Sequence, residues 1–288
     1  MRTEHDYLGP MEIPGDALYG IHSARAFENF QNHTVFHQEW YQAVGDVKYA
    51  CYETYANFRA LSIEKYGDAL PVQFFEIPTI EALQQAANEV AMGKWFSNFI
   101  VPAVQGGAGT SINMNVNEII ANRALQLLGK QPGDYDCVNP VEHANIYQST
   151  NDVIPTALRL ASLRLLTTLE DEINRLRLLN EETERRLRNI PRMAYTQMQQ
   201  AVPSSYGKLF SSYSDALSRD WWRVSKCFER IKVVNLGGSA VGTSITVPRY
   251  VVMEATRVLQ KNTGLPVTRG ENLVDSTGYE EISLSSLS

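Results

Sequence analysis

The stretch from Pro155 to Ile190, PTALRLASLRLLTTLEDEINRLRLLNEETERRLRNI, decides the fold class. Leu165, Leu169, Ile173, Leu176, Leu187 and Ile190 draw a seam at near-heptad spacing. Glu170, Asp171, Glu172, Arg175, Arg177 and the charged patch 181–188 lie between them. The pattern predicts one long helix of about ten turns. A few neighbours from its own chain cannot bury so long a seam, so further helices, including those of other subunits, are expected against it.

Shorter periodic segments lie on both sides. Val44, Val47, Ala50, Cys51, Ala56 and Phe58 recur at three- and four-residue steps and predict a helix over 40–65. A second is expected over 80–100, entered through Pro78 with Thr79 as its cap and Glu81 in its first turn. A third covers 113–129, stopped by Gly129 and Pro132-Gly133, and two more cover 204–233 and 248–263, the last closed by Gly264. Strand-type alternation is sparse, leaving at most a short hairpin near the N-terminus. The chain therefore reads as mainly α, and the change from shorter to longer helices places a boundary at Pro155, between residues 1–154 and 155–288.

Composition narrows the function classes. With 44% hydrophobic and 20% charged residues, the chain has enough apolar material for a core and too little charge for disorder. A net charge of -6 without any Lys/Arg-rich block argues against a nucleic-acid partner. The first twenty residues carry Glu4, Asp6, Glu12 and Asp16 and lack the cationic start and apolar stretch of a signal peptide. No window is apolar for long enough to span a bilayer, so no membrane partner is expected and the cytoplasm is the expected location. Cys51, Cys137 and Cys227 show no CxxC spacing and are expected as buried free thiols. His5, His22, His33 and His37 fit no metal spacing, and His143 is given no catalytic role. Trp221 and Trp222 are expected to pack within their helix.

Three polar segments place hydroxyl and amide side chains at breaks in the helical pattern. The first, Gly106-Gly107-Ala108-Gly109-Thr110-Ser111-Ile112-Asn113-Met114-Asn115, brings free helix-start amides together with Thr110 and Ser111, a combination suited to a carboxylate. It is no Walker loop, because no Lys precedes Thr110. The second, Gln148-Ser149-Thr150-Asn151-Asp152, reads blandly as helix capping and functionally as a metal-free anion site. The third, Tyr195-Thr196-Gln197-Met198-Gln199-Gln200-Ala201-Val202-Pro203, reads as a polar turn between two long helices.

In this order and spacing, the segments 106–118, 148–152 and 196–203 closely resemble three signature regions of the aspartase/fumarase superfamily. The resemblance extends to Ile13–Gly20, Arg25–Phe30, Ile119–Ala124 and Leu236–Thr243, and reaches about Thr277. It implies a mainly helical lyase fold, with an N-terminal helical domain followed by the long helices of a central bundle, assembled as a homotetramer. Thr150 and Gln197 are similar to the aspartase branch, which implies reversible elimination of ammonia from L-aspartate to fumarate. Fumarate hydration and a catalytically dead homologue acting as an assembly partner are the alternatives. The reaction passes through a doubly charged aci-carboxylate, which preorganised neutral donors stabilise well, so no metal or organic cofactor is expected. By the resemblance, Ser149 and Thr150 hold the carboxylate that becomes the aci-carboxylate, with Thr110 nearby. Asn151 and Gln197 face the amino group, and Thr196 the other carboxylate.

Two departures stand against the family pattern. The family's mobile Gly-Ser-Ser loop, which carries the general-base serine, has no counterpart, and the sequence leaves the pattern after Asp275-Ser276-Thr277. The chain is therefore expected to be truncated and, by itself, nearly or wholly inactive, since a general base is commonly worth about a hundredfold to ten-thousandfold. Secondly, Ala194-Tyr195 stands before Thr196 where the family usually has Gly-Arg.

Overall fold

The computed structural model describes residues 1–67, 69, 72–105 and 108–278. They form a mainly helical fold divided into two compact units, one built from Met1–Ala161 and Lys232–Glu280, the other centred on Ser162–Ile231.

The first unit opens with an antiparallel hairpin, β1 (Arg2–Asp6) and β2 (Gly9–Ile13), paired from Arg2↔Ile13 to Asp6↔Gly9. Arg2 ties down the segment that follows by donating to the carbonyls of Pro14, Ala17 and Tyr19. Helix α1 (Ile21–Asn29) begins at Gly20, which has no capping side chain. Its free amides are satisfied instead by Glu118, whose carboxylate accepts from Gly20 N at 2.8 Å, His22 N at 2.9 Å and Ser23 N at 3.2 Å, and also from the Ser23 hydroxyl.

Helices α2 (Gln38–Tyr66), α3 (Ile77–Ala91) and α4 (Thr110–Leu127) form the core with α7 (Arg249–Thr263), α2 packing on both α3 and α7. The buried stripe of α2 runs through Tyr41, Val44, Val47, Cys51, Tyr52 and Tyr55. Gly45 lets α2 and α3 touch: a Cβ there would stand 2.4 Å from Ala91 N, closer than any side chain allows. Two short strands, β5 (Val233–Val234) and β6 (Thr268–Arg269), pair in parallel, and a single turn, α8 (Leu273–Ser276), follows.

Helix α5 (Thr150–Leu187) begins in the first unit and continues into the second. The second unit also holds an antiparallel hairpin, β3 (Pro191–Thr196) and β4 (Gln199–Ser205), and α6 (Tyr206–Ile231). Its seam is not covered: Leu165 is 53% exposed, Leu169 46% and Leu176 49%. Trp222 is also exposed, although its ring packs edge-on against that of Trp221 at 5.8 Å, as expected within this helix.

Several local expectations need correction. The long helix starts at Thr150 and takes Pro155 inside it. Proline leaves the carbonyl four residues back without its helical partner, and that carbonyl, Asn151 O, is recovered by Asn235 Nδ2 at 2.9 Å. Helix α3 starts at Ile77, with Pro78 in its first turn where no amide is needed, so Thr79 lies inside the helix and caps nothing. It ends at Ala91 rather than near Ile100, because Gly93 and Trp95 take left-handed backbone before a single 3-10 turn at Phe96–Asn98. Residues 195–203 are not a plain interhelical loop but part of the second hairpin. Cys51 is buried and free, whereas Cys137 and Cys227 are free and only half-buried. Among the described residues, no helix is long and apolar enough to cross a membrane. Gly106 and Gly107, and the divergent end at 279–288, lie outside the described residues.

Candidate active site

Two helix starts meet in the first unit. At the start of α5, Ser149 is the cap: its Oγ accepts from Asn151 N at 3.2 Å, while Asp152 Oδ1 accepts from Ser149 N at 2.9 Å. This is a reciprocal capping box. Accepting the amide leaves the Ser149 O–H free to donate. The bland reading of this segment as a cap therefore holds for Ser149, but not for its two neighbours. Thr150 Oγ1 accepts from Asn113 Nδ2 at 3.2 Å, and Asn151 Nδ2 donates to Ala240 O at 2.7 Å.

The start of α4 lies against it. Gly109, the residue before Thr110, takes left-handed backbone at φ +83°, and a Cβ there would press on Ile154 Cγ2 at 3.2 Å. Glycine is needed at this place both for the conformation and for the approach. Thr110 is exposed at the first turn, and Asn113 reaches Thr150 one turn later. The positive ends of two helices and several hydroxyl and amide groups thus face the same region, an arrangement that favours an anion. Beside it, Phe36, Trp40, Ile112, Ile154 and Leu158 line an apolar cleft of about 420 Å³.

Beneath the hydroxyls lies a buried polar network. Asn145 Oδ1 accepts from Asn113 Nδ2 at 3.1 Å, Asn117 Nδ2 at 3.3 Å and Lys48 Nζ at 3.5 Å, and Asn145 Nδ2 donates to Gln148 O at 3.1 Å. Lys48 Nζ donates to Gln148 Oε1 at 2.9 Å. Asp152 joins this floor to the loop after β5, its Oδ2 accepting from Ser239 N at 2.9 Å. Burial raises the Asp152 carboxyl to about 6, against the pull of its two amide donors and of Lys48. Burial lowers the Lys48 amine to about 7, partly opposed by Cys51 and Asp152.

Of the residues singled out from sequence, Thr110, Ser149, Thr150 and Asn151 fall at these two helix starts. Thr196 and Gln197 belong to the second unit, at the tip of its hairpin, where both are exposed. Gln197 and Met198 form the two-residue turn, with φ of +45° and +63°. His143 accepts from Asn139 N at 3.0 Å and packs on Phe75, which accounts for it structurally. Sequence reading passed over Lys48 and Asn145, and it quoted Asp152 and the 236–243 segment without giving either a role in the site. Lys48 did carry a signal: it is a lone cation on the apolar stripe between Val44, Val47 and Cys51. Among the described residues, no group of three His, Cys, Asp or Glu side chains could hold a metal ion.

Comparison with known proteins agrees with this architecture. A family model described as lyase matches residues 9–283. The chain is 36% identical over 289 residues to the aspartate ammonia-lyase of Bacillus subtilis, covering 99% of this chain and 58% of that protein. It is 37% identical over 281 residues to the aspartate ammonia-lyase of Escherichia coli K12, covering 96% of this chain and 56% of that one. The chain thus spans a little over half the length of the curated relatives it matches. Among solved structures, the fumarate lyase:delta crystallin of Brucella melitensis bound to cobalt superposes with a TM-score of 0.86 at 34% identity, covering 96% of this chain and 58% of that one. The class II fumarase of Schistosoma mansoni shares the fold, with a TM-score of 0.84 at 24% identity over 99% of this chain and 61% of that one.

Proposed function

Because the chain belongs to the aspartase/fumarase superfamily of lyases, we propose that its full-length form eliminates ammonia from L-aspartate to give fumarate. The observation that carries this reading is the pairing of the α4 and α5 starts through Asn113 and Thr150, which gathers neutral donors where a substrate carboxylate is to be held.

The chemistry asks for such groups. Removing the proton beside a carboxylate places a second negative charge on that carboxylate, and donors already aimed at it need little reorganisation as the charge develops. In this reading Ser149 and Thr150 donate to the aci-carboxylate, with Thr110 beside them. Asn151 has its Nδ2 held by Ala240 O, which leaves Oδ1 to accept from the substrate amino group. By the family resemblance, Gln197 shares that amino group and Thr196 takes the second carboxylate, both supplied by another subunit of the assembly. None of these hydroxyls and amides is a base, so they bind and stabilise, and the proton leaves to a group they do not supply. The exposed seam of α5 supports assembly of the full-length protein as a homotetramer through a shared helical bundle.

Thr150 and Gln197 favour aspartate over malate, and the two substrates test the choice. Full-length protein given L-aspartate is expected to release ammonia and fumarate in equal amounts, and to act far more slowly on L-malate. Conversion of L-malate with no release of ammonia from L-aspartate would replace this reading with that of a hydratase.

A further inference from the structure

We infer that the cavity between α7 and β6 is a binding site for a small, doubly charged oxyanion, held by Arg257 and Arg269. The site shares no residue with the two helix starts and does not depend on the function proposed above.

The chain makes this cavity by turning back on itself. Gly264 ends α7 in left-handed backbone at φ +69°, and the chain returns to form β6, which is held in place by its parallel pairing with β5, Val233 to Thr268 and Val234 to Arg269. The space left between helix and strand is about 320 Å³. Thr256 and Arg257 precede Gln260 by four and three residues, which brings all three to one side of α7, and Thr268 and Arg269 close the cavity from β6. Among the described residues that line it, none is acidic and every polar one offers a donor.

Two of these residues are not explained by packing or by partners within the chain. Arg269 is half-buried, bonds only the carbonyl of Gly270, at 3.2 Å, and has no carboxylate partner among the described residues. Thr256 is almost fully buried beside Ala255 and Leu259, and its hydroxyl has no partner among the described residues. Other threonines in these helices donate to the carbonyl four residues back, as Thr263 does to Leu259 O at 2.8 Å on the same helix and Thr54 to Ala50 O at 2.7 Å. Valine would fill the place of Thr256 without leaving a hydroxyl unsatisfied.

The donor set selects the ligand. A guanidinium presents a flat fork of N–H groups that matches paired oxygens on a carboxylate or a phosphate. Here two forks come from different elements, with hydroxyl and amide donors between them, so two negative charges are matched. Arg257 already meets Glu254 Oε1 at 2.9 Å, but that pair is an exposed one within the helix and occupies only NH1. Such a pair contributes little and leaves the remaining donors to a ligand. The volume lies at the lower end of the range for small-molecule sites, about 300–1,000 Å³, which suits a phosphate group or a four-carbon dicarboxylate.

Titration calorimetry of the full-length protein tests this, with inorganic phosphate and succinate as separate probes at constant ionic strength. At least one probe is expected to bind, with an affinity lowered about tenfold or more by Arg269→Gln and by Arg257→Gln, as for loss of a charge-assisted contact. Thr256→Val is expected to weaken it about threefold or more. Binding of phosphate alone would identify a phosphate group as the ligand, binding of succinate alone a dicarboxylate, and binding of both selection by charge. Thermal melts establish that each variant is folded, and if Arg269→Gln gives no cooperative melt, Arg257→Gln, on the exposed face of α7, decides. Failure of both probes to bind, or binding that the arginine substitutions leave unchanged, would overturn the inference and leave the lyase reading intact.

Discussion

Asn113 and Thr150 join the first turns of two helices by a bond of 3.2 Å from amide to hydroxyl. Asn113 is also almost fully buried, and both of its hydrogen bonds are made by Nδ2, to Asn145 and to Thr150, while Oδ1 has no hydrogen-bond partner among the described residues. Asn113→Leu, which keeps the branched shape and removes the donor, is expected to lower kcat/KM for L-aspartate about tenfold in a full-length protein that still melts cooperatively. Unchanged kinetics would separate Asn113 from the Thr150 hydroxyl.

The buried amine gives stability a pH dependence whose sign is fixed. Lys48 in the folded chain loses its proton near 7 rather than at the ordinary 10.5. Between those values the unfolded chain binds more protons than the folded one, so the contribution of this group to stability rises with pH, and it is lost as pH falls through about 7. Lys48→Met should therefore flatten the rise in melting temperature above pH 7 relative to wild type. A parallel pH profile in the two proteins would place the amine in solvent.

The turn of the second hairpin carries strain that glycine would relieve. Gln197 and Met198 both have positive φ, and Met198 is fully exposed at the tip. Met198→Gly leaves Gln197 in place and is expected to stabilise the protein by about 1 kcal/mol, seen as a higher melting temperature. A loss of stability would show that the tip is held by something other than its turn.

Much of this fold was legible in the sequence because amphipathic periodicity reports directly on which face a helix buries. Helices α2, α5 and α7 stand nearly where their spacing put them, and Gly264 closes α7 as a left-handed cap. The second hairpin was not legible, since its turn is Gln-Met and lacks the Asn-Gly or Asp-Gly signal that marks such turns. Nor was the true start of α5, because the carbonyl that Pro155 frees is rescued by Asn235, a residue distant in sequence. The same holds for the site. Ser149 and Thr150 were visible as a polar motif at a helix start, while the floor of Lys48, Asn145 and Asn113 exists only once three helices and a loop have met.

The apolar seam of α5 predicts assembly. Leu165, Leu169 and Leu176 lie half exposed along it in this chain, a stripe suited to covering by other helices. Leu169→Asp should reduce the oligomer size of the full-length protein in sedimentation or light scattering. An unchanged size would take that face out of the bundle.

Fumarate absorbs in the ultraviolet and L-aspartate does not, so absorbance on mixing L-aspartate with the full-length protein and with its Thr150→Ala variant bears on the function and the site together. The expected result is a rise proportional to enzyme concentration in the wild type, slowed about a hundredfold or more by Thr150→Ala, as for loss of one preorganised donor. No rise with a folded wild type, or equal rises from the two proteins, would contradict the assignment of these helix starts as the carboxylate site of an aspartate-cleaving lyase.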